Sequence, residues 1–430
     1  MTFRQIIQAL ILLFAVLTST VLLGQNDGPA GIQNSTTNRF WLRTSEISQA
    51  NNTAVATWPN IGGNTLDAEQ VTAADRPLFL DNITDNINTF PVLRFDGTDD
   101  MEIANTTDLN SGGPWDERTF TVAFKTGADV TTRMSVYEEG GGLRGIIFYI
   151  EGGFLYAGMY NGNNDGAASP WTAAYLSAAV SPNTEYVLTF IYDGGTVTSN
   201  GYTSAYLNGS LMGTSLGVGT FYGHNNTRIG GGNSMRDRIG TAVTMNRFSG
   251  DYMEVIIFDN PLSIAERTIL ENSLAAKYGI AMTGSLVYQM SSAANGNFDF
   301  DVIGIGQDNS GDNNTSADNA GFIIENADDI SNNEYLMGGN DGQGVSAWLT
   351  ANSPDAASIS YLDRQWRFSE IGDVGNLDIS WDLSGFAALP GVEYSWAVMI
   401  DDDGDYSSGA LIYELQLVSG NEYTLPNPVN

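Results

Sequence analysis

Short apolar and alternating runs recur along most of the chain. Residues 120–125, 146–150, 155–160, 186–192 and 205–207 are of this kind, and clusters of Gly, Asn and Asp separate them. Runs of this length with turn residues roughly every ten positions predict the strands of a β-sandwich. Asn208-Gly209, between Tyr206-Leu207 and Ser210-Leu211, predicts a two-residue type I′ hairpin turn. Tyr156 and Tyr160 are evenly spaced and should share one sheet face. One segment departs from the period of two. A strand over 252–258 runs into the turn Asp259-Asn260-Pro261 and then a helix. Ser263 and Glu266 form a capping-box pair at its start, and Gly279 suits its left-handed end. Ile264, Leu270, Leu274 and Tyr278 fall near one stripe, so the helix should lie on an apolar surface.

The 248–280 segment carries Gly250-Asp251, Glu254-Val255-Ile256-Ile257, Leu262-Ser263, Glu266-Arg267 and Leu274-Ala275-Ala276-Lys277-Tyr278-Gly279-Ile280. This resembles the closing signature of the concanavalin A-like, laminin-G-like jelly rolls of secreted bacterial multidomain proteins. Trp41-Leu42-Arg43, Trp58-Pro59 and Pro91-Val92-Leu93-Arg94-Phe95-Asp96-Gly97 resemble the opening strands of that family, and Tyr206-Leu207-Asn208-Gly209 a late strand and turn. The resemblance spans residues 38–282. It implies a sandwich sealed by one helix. It leaves function open, because the scaffold serves lectins, adhesion modules, glycosidases and spacers.

Beyond residue 283 the strand pattern restarts. Trp366 and Phe368 flank Arg367, and Leu377, Ile379, Trp381 and Leu383 alternate with Asp378, Ser380 and Asp382. Further strands are expected over 394–400 and 411–417. Phe300-Asp301-Val302-Ile303-Gly304-Ile305-Gly306, Arg364-Gln365-Trp366-Arg367 and Asp402-Asp403-Gly404-Asp405 resemble an uncharacterised β domain that follows the jelly roll in such proteins. The expected fold is therefore all-β: a concanavalin A-like jelly-roll sandwich with one C-terminal helix over 26–282, then a second, smaller β-sandwich over 283–430. A further C-terminal sorting domain, common in such proteins, is not legible before Asn430, so a fragment or another export route is expected. Residues 1–25, with Arg4 ahead of a long apolar run, read as a secretory signal peptide, the alternative being an uncleaved anchor. This implies a secreted or cell-surface protein without membrane insertion after cleavage.

Charge and composition narrow the partners. The net charge is -33, Lys125 and Lys277 are the only lysines, and there is no cysteine. Nucleic acid and anionic membranes need clustered basic residues and are not expected as partners. Without disulfides, the cores alone must hold an exported fold.

No Glu-x-Asp-x-x-Glu strand of the glucanase type is present. Glu254 and Asp259, five apart, fall on opposite strand faces, and the adjacent Glu138 and Glu139 diverge. The single histidine, His224, cannot build a multi-histidine zinc site and is expected to be an ordinary loop residue. Calcium fits better: Asp401, Asp403 and Asp405 alternate around Gly404, and Asp96, Asp99 and Asp100 surround a second turn. A solvated acidic hairpin and a simple turn are the alternatives. Asp308, Asp312 and Asp318 lie in what is expected to be a mobile loop. Sugar recognition wants aromatic faces beside amides and carboxylates. The 161–175 loop offers Asn163, Asn164, Asp165, Trp171 and Tyr175; the 221–238 loop offers Tyr222, His224, Asn225 and Arg228. Trp58, Trp366, Trp381 and Trp396 are expected in cores. The reading is a non-enzymatic, exported binding or adhesion protein that recognises a glycan or surface polysaccharide, with calcium as the candidate cofactor and other cell-surface proteins as further partners. A glycoside hydrolase of the glucanase type and a structural spacer are the alternatives.

Overall fold

The computed structural model describes residues 26–162, 171–172, 175–194, 201–319, 321–351, 353–355, 358–391, 394–401 and 406–426. The signal-peptide segment, Asn163, Asn164, Asp165, Asp403 and Asp405 lie outside them, as does the side chain of Trp171.

Two nine-stranded antiparallel sheets face each other. The first runs in the order Ser210–Val218, Gly201–Leu207, Glu185–Asp193, Glu117–Thr126, Ser249–Phe258, Val92–Asp96, Leu78–Leu80, Thr53–Ala54, with Asn38–Arg43 continuing the edge of Ser249–Phe258. The second runs Trp171–Thr172, Phe154–Asn161, Arg144–Glu151, Met134–Gly141, Thr227–Ile229, Met101–Ile103, Ala68–Glu69, Thr57–Trp58, with Leu176–Ala179 also on Phe154–Asn161. Alternation supplies the core between them. Phe120, Val122 and Phe124 meet Tyr137, Ile146, Phe148 and Ile150, while Ala123 points the other way, toward the helix. Trp58 is fully buried in this core. The Asn208-Gly209 turn takes the expected double positive φ, 48° and 82°. The Asn208 carbonyl accepts the amides of Thr283 and Gly284, which ties the hairpin to the chain as it leaves the helix.

The helix Ile264–Tyr278 has the expected capping box between Ser263 and Glu266, and Gly279 ends it at φ 63°. It is buried on nearly every side. Leu270, Leu274 and Tyr278 share one apolar cluster with Ala123, Val187 and Ile256 of the first sheet and with Val302, Tyr335 and Met337 of the second sandwich. Ile264, expected on the apolar stripe, is instead 47 % exposed, although Ala265, Glu266 and Arg267 beside it in the first turn are buried. Gly304 lets the helix approach the Phe300–Gln307 strand, with Ile269 Cγ2 at 3.5 Å from where a Cβ would stand.

A bulge sets the polar contact that fixes this helix. Tyr252 pairs with Phe124 and Glu254 with Ala123, so Met253 is an extra residue. Tyr252 and Val255 face the inter-sheet core, while Met253 and Glu254 both turn to the helix side. There the Glu254 carboxylate accepts from Lys277 Nζ at 2.9 Å, Tyr278 Oη at 2.7 Å and Trp41 Nε1 at 2.5 Å. Burial alone would push this carboxyl up, but the Lys277 charge and the three donors outweigh it and hold it below the usual glutamate range.

The second sandwich packs a sheet of Asn313–Asn314, Phe300–Gln307, Glu334–Asn340 and Trp366–Ile371 on one of Ala317–Asn319, Phe322–Glu325, Asp378–Asp382, Glu422–Thr424 and Gln416–Ser419. Trp381 is buried in its core and Trp366 and Trp396 pack half-buried against it. The strands expected near 394–400 and 411–417 form, but Ala397–Ile400 and Leu411–Glu414 make a largely exposed hairpin. The 308–318 stretch is structured rather than loose. Asp308 is buried and its Oδ1 accepts from Ser310 and Asp312, and two short strands follow. Asn26, near the start of the described chain, bonds Asn314, Ser316 and Asp318 of this second sandwich.

Replacing Glu254 by Ala leaves Lys277 and two other donors without their acceptor, and a loss of about 3–5 kcal/mol is expected in chemical denaturation. A depressed carboxyl stabilises above its unfolded value and loses that contribution as pH falls through the folded one. The wild-type melting temperature should therefore drop as pH falls below about 4.3, and Glu254→Gln should lack that share of the drop.

Candidate functional site

One end of the first sandwich gathers three connections. The hairpin between Met134–Gly141 and Arg144–Glu151 projects Gly142 and Leu143. Arg144 pairs with Asn161 across the sheet, and Gly162 N donates to Leu143 O at 2.6 Å, so the 161–175 connection leaves from this corner. Gly140 N donates to Asn225 O at 2.9 Å, which draws in the connection that precedes Thr227–Ile229. Between them lies an open recess of about 450 Å³, lined by Gly140, Gly141, Gly142, Leu143, Arg144 and residues 223–226. The glycine run keeps side chains off its floor. Leu143 and the amides of Asn225 and Asn226 stand exposed at the rim. Arg144 donates to Gly223 O at 2.7 Å and lies 5.9 Å from the ring of half-exposed Tyr222.

His224 belongs to the turn where it was expected, but it points inward. Its ring sits 4.6 Å from Phe221 and 5.7 Å from Trp115, and Nε2 meets Glu139 Oε2 at 2.7 Å. Tyr137 Oη donates to the other oxygen of Glu139. Burial, with Glu139 beside it, holds that phenol protonated far above its ordinary range. Arg118 stacks on Trp115 at 4.7 Å and is itself 2 % exposed. Burial pulls its guanidinium down against the pull of Glu139. His224 and Glu139 thus brace the 221–226 connection from below, and neither is open to a large ligand from the recess side. Sequence reasoning weighed Glu139 only as half of a carboxylate pair with Glu138, and missed Leu143 and Arg144. The signal available was the Gly140-Gly141-Gly142 run between two strand patterns.

The remaining sugar candidates are placed elsewhere. Tyr175 lies on Gly158 and donates to Arg236 O, which makes it a lid on the outer face of the second sheet. Arg228 is also on that face, opposite Glu138 on one strand and Glu102 on the other. It bonds Asp100 and, at 2.9 Å, Glu102. Glu138 and Glu102 thus share a face two strands apart, about 9–10 Å between Cα positions. The Gly230–Asn233 stretch closes over Glu138. Asn233 N donates to its Oε1 at 2.9 Å, and a Cβ on Gly231 would stand 2.9 Å from that oxygen. Glu138 is 0 % exposed, and burial pushes its carboxyl up to about 7.

The turn with Asp96, Asp99 and Asp100 spends its oxygens on the protein. Asp96 Oδ1 accepts from Thr98, Asp99 Oδ2 from Asp96 N, and Asp100 faces Arg228, Arg247 and Gln70. Burial raises Asp99 to about 6. Two arginines at Asp100 oppose a cation there. Among the described residues, no group of three or more His, Asp or Glu side chains is placed to hold a metal ion. Of the acidic turn in the second sandwich only Asp401 is described.

No curated protein matches the chain. A family model described as "Domain of unknown function (DUF8202)" matches residues 266–429, beginning inside the helix. Among solved structures, the chain is similar to domain 4 of AbnA, an extracellular arabinanase from Geobacillus stearothermophilus solved with arabinotriose, at 15 % identity and TM-score 0.30 over 47 % of this chain and 82 % of that one. It is similar to the CBM40 of a Ruminococcus gnavus sialidase bound to α2,3-sialyllactose at 21 % identity and TM-score 0.26, over 35 % and 78 %. A botulinum neurotoxin type C structure, whose description ties cell entry to two ganglioside molecules, covers 92 % of this chain and 93 % of its own at 10 % identity and TM-score 0.36. At such identities and overlaps none of these likenesses carries a ligand over to this chain.

Proposed function

We propose that the protein is an exported glycan-binding module that holds a neutral saccharide at the recess between the Gly142-Leu143 hairpin and residues 221–226. The observation that carries this reading is an open recess at one sandwich end in which the 223–226 connection, with exposed Asn225 and Asn226, meets the Leu143 hairpin over a glycine floor. Sugar rings offer apolar faces and hydroxyls. Leu143 supplies apolar surface, with the Tyr222 ring beside Arg144 next to it, Asn225 and Asn226 supply amides, and the glycine run leaves the floor free of side chains. The net charge of -33 favours a neutral polymer over an anionic one. Export rests on the pattern of residues 1–25, and among the described residues no helix is long and apolar enough to cross a membrane.

A binding role is preferred to hydrolysis for a physical reason. Glu138 and Glu102 share a sheet face at a separation that suits carboxylate catalysis, but the Gly230–Asn233 stretch seals Glu138 from any substrate, and Arg228 is bound to Glu102.

A glycan array run with calcium and with chelator tests the reading. Binding is expected, and Tyr222→Ala and Asn225→Ala should each weaken it by about tenfold without lowering the melting temperature. Silence on the array under both conditions would favour the spacer reading. Glu138→Gln tests the role of the sealed acid. A raised carboxyl contributes stability that is full below its unfolded value and is lost as pH rises through about 7. At pH 8 the glutamine variant should be more stable than wild type by on the order of 3 kcal/mol, should flatten the pH dependence of melting between pH 4.5 and 7, and should bind glycans as before. An unchanged pH profile would refute this assignment.

A further inference from the structure

A second cavity lies where the first sandwich, the helix and the second sandwich meet. It holds about 280 Å³ and is walled by Trp41, Phe90 and Phe300, with Asp299, Asp301 and Lys277 among its polar lining. Phe90 and Phe300 rings are 4.9 Å apart, and Lys277 Nζ lies 5.4 Å from Phe90. The charged lining comprises the carboxylates of Glu46, Glu254, Asp299 and Asp301 against the cations of Arg43 and Lys277. Both cations are spent: Lys277 pairs with Glu254 at 2.9 Å and Arg43 with Glu46 at 2.7 Å. The acid excess is therefore Asp299 and Asp301.

Asp299 is 6 % exposed, and its Oδ1 is buried without a hydrogen-bond partner among the described residues; Oδ2 accepts from Asn88 at 2.9 Å. Burial pushes this carboxyl up. Asp301 sits at φ 48°, a left-handed conformation inside a strand, at the register shift between Phe300 and Ile303, and accepts from Asn340 at 2.9 Å. Backbone strain of this kind is kept only where surroundings enforce it. An unpaired buried carboxylate oxygen beside aromatic faces is matched by a cation with N–H donors, because charge-assisted hydrogen bonds and ring quadrupoles both favour it. A neutral hydroxyl would leave the charge of the site uncompensated, and an anion would add to it.

We propose that this junction cleft binds a small organic ammonium ion, with its N–H groups on Asp299 Oδ1 and the Asp301 carboxylate and its carbon stem against Trp41 and Phe300. Because the cleft is lined from all three units, occupancy would also tighten their contact. The proposal is independent of the glycan recess.

The test is calorimetric titration of the full chain with ethanolammonium, glucose and inorganic phosphate at constant ionic strength, with melting temperature as a second readout. One ethanolammonium per chain is expected, with a raised melting temperature, and no response to glucose or phosphate. Asp299→Asn should weaken binding by about tenfold or more. Asp301→Asn should do the same, and asparagine accepts the positive φ, so this variant decides the matter if the first fails to fold. No heat and no melting shift at about 10 mM ethanolammonium, a preference for glucose or phosphate, or wild-type affinity in the folded variants would overturn the proposal.

Discussion

A buried carboxylate holds the molecule together at its centre. Isolated, Glu254 would cost several kcal/mol to desolvate. Lys277, Tyr278 and Trp41 offset that cost, and they come from the helix and from the opening strand, so the charge can be satisfied only when the helix lies on the first sheet. The bulge at Met253 is what turns the carboxylate to that side. Everything stacked on the helix inherits this placement. Ser273 Oγ donates to Val302 O at 2.7 Å, and the Asn272 side chain bonds Thr268, Ser285 and Val287. The second sandwich is thereby fixed to a helix that the first one has already positioned.

The same arrangement explains why the helix is buried nearly all round although its sequence carries Arg267, Glu271 and Asn272. Arg267 and Glu271 pair at 2.5 Å on the side facing Tyr206, whose ring lies 3.7 Å from the guanidinium carbon. Thr189 and Tyr206 of the first sheet thus cover Arg267 and Glu271. The second β unit adds Val302, Tyr335 and Met337 to the apolar cluster around the helix, and the chain start joins the same contact, since Gln33 bonds Glu266 at the helix N-terminus and Asn26 reaches the second sandwich.

Much of this was legible in local chemistry. The capping box, the left-handed Gly279, the Asn208-Gly209 turn and the alternation around Phe120–Phe124 and Ile379–Trp381 each depend on neighbours within a few residues, and each forms as expected. What local reasoning could not reach was set by partners far along the chain. Ile264 fits the apolar stripe but stays exposed. His224 looks like a loop residue until Glu139, 85 positions earlier, is folded under it. Arg228 looks free for a ligand until the register of three strands places it between acids. The bulge at Met253 shifts one side chain across the sheet, and no periodicity in the sequence announces it. Of the two loops expected to bear a sugar site, the structure brings both starts to one corner. Asn163, Asn164 and Asp165 lie outside the described residues, and Tyr175 is turned onto the sheet.

The two cavities differ in a way that follows from how they are built. The recess at the sandwich end is made by connections, is floored by glycine backbone and is open, so it suits an extended ligand that touches it along one side. The junction cleft is made by elements that the Glu254 clamp holds rigid, and its strained Asp301 and half-satisfied Asp299 keep charge where water is scarce. A site of the first kind can change its preferences by loop substitution without cost to the core. A site of the second kind cannot, because walls such as Phe90 and Phe300, in ring contact across the two sandwiches, also carry the packing between them. Whatever fills the cleft therefore acts on the geometry of the whole molecule, whereas whatever binds the recess does so at its edge.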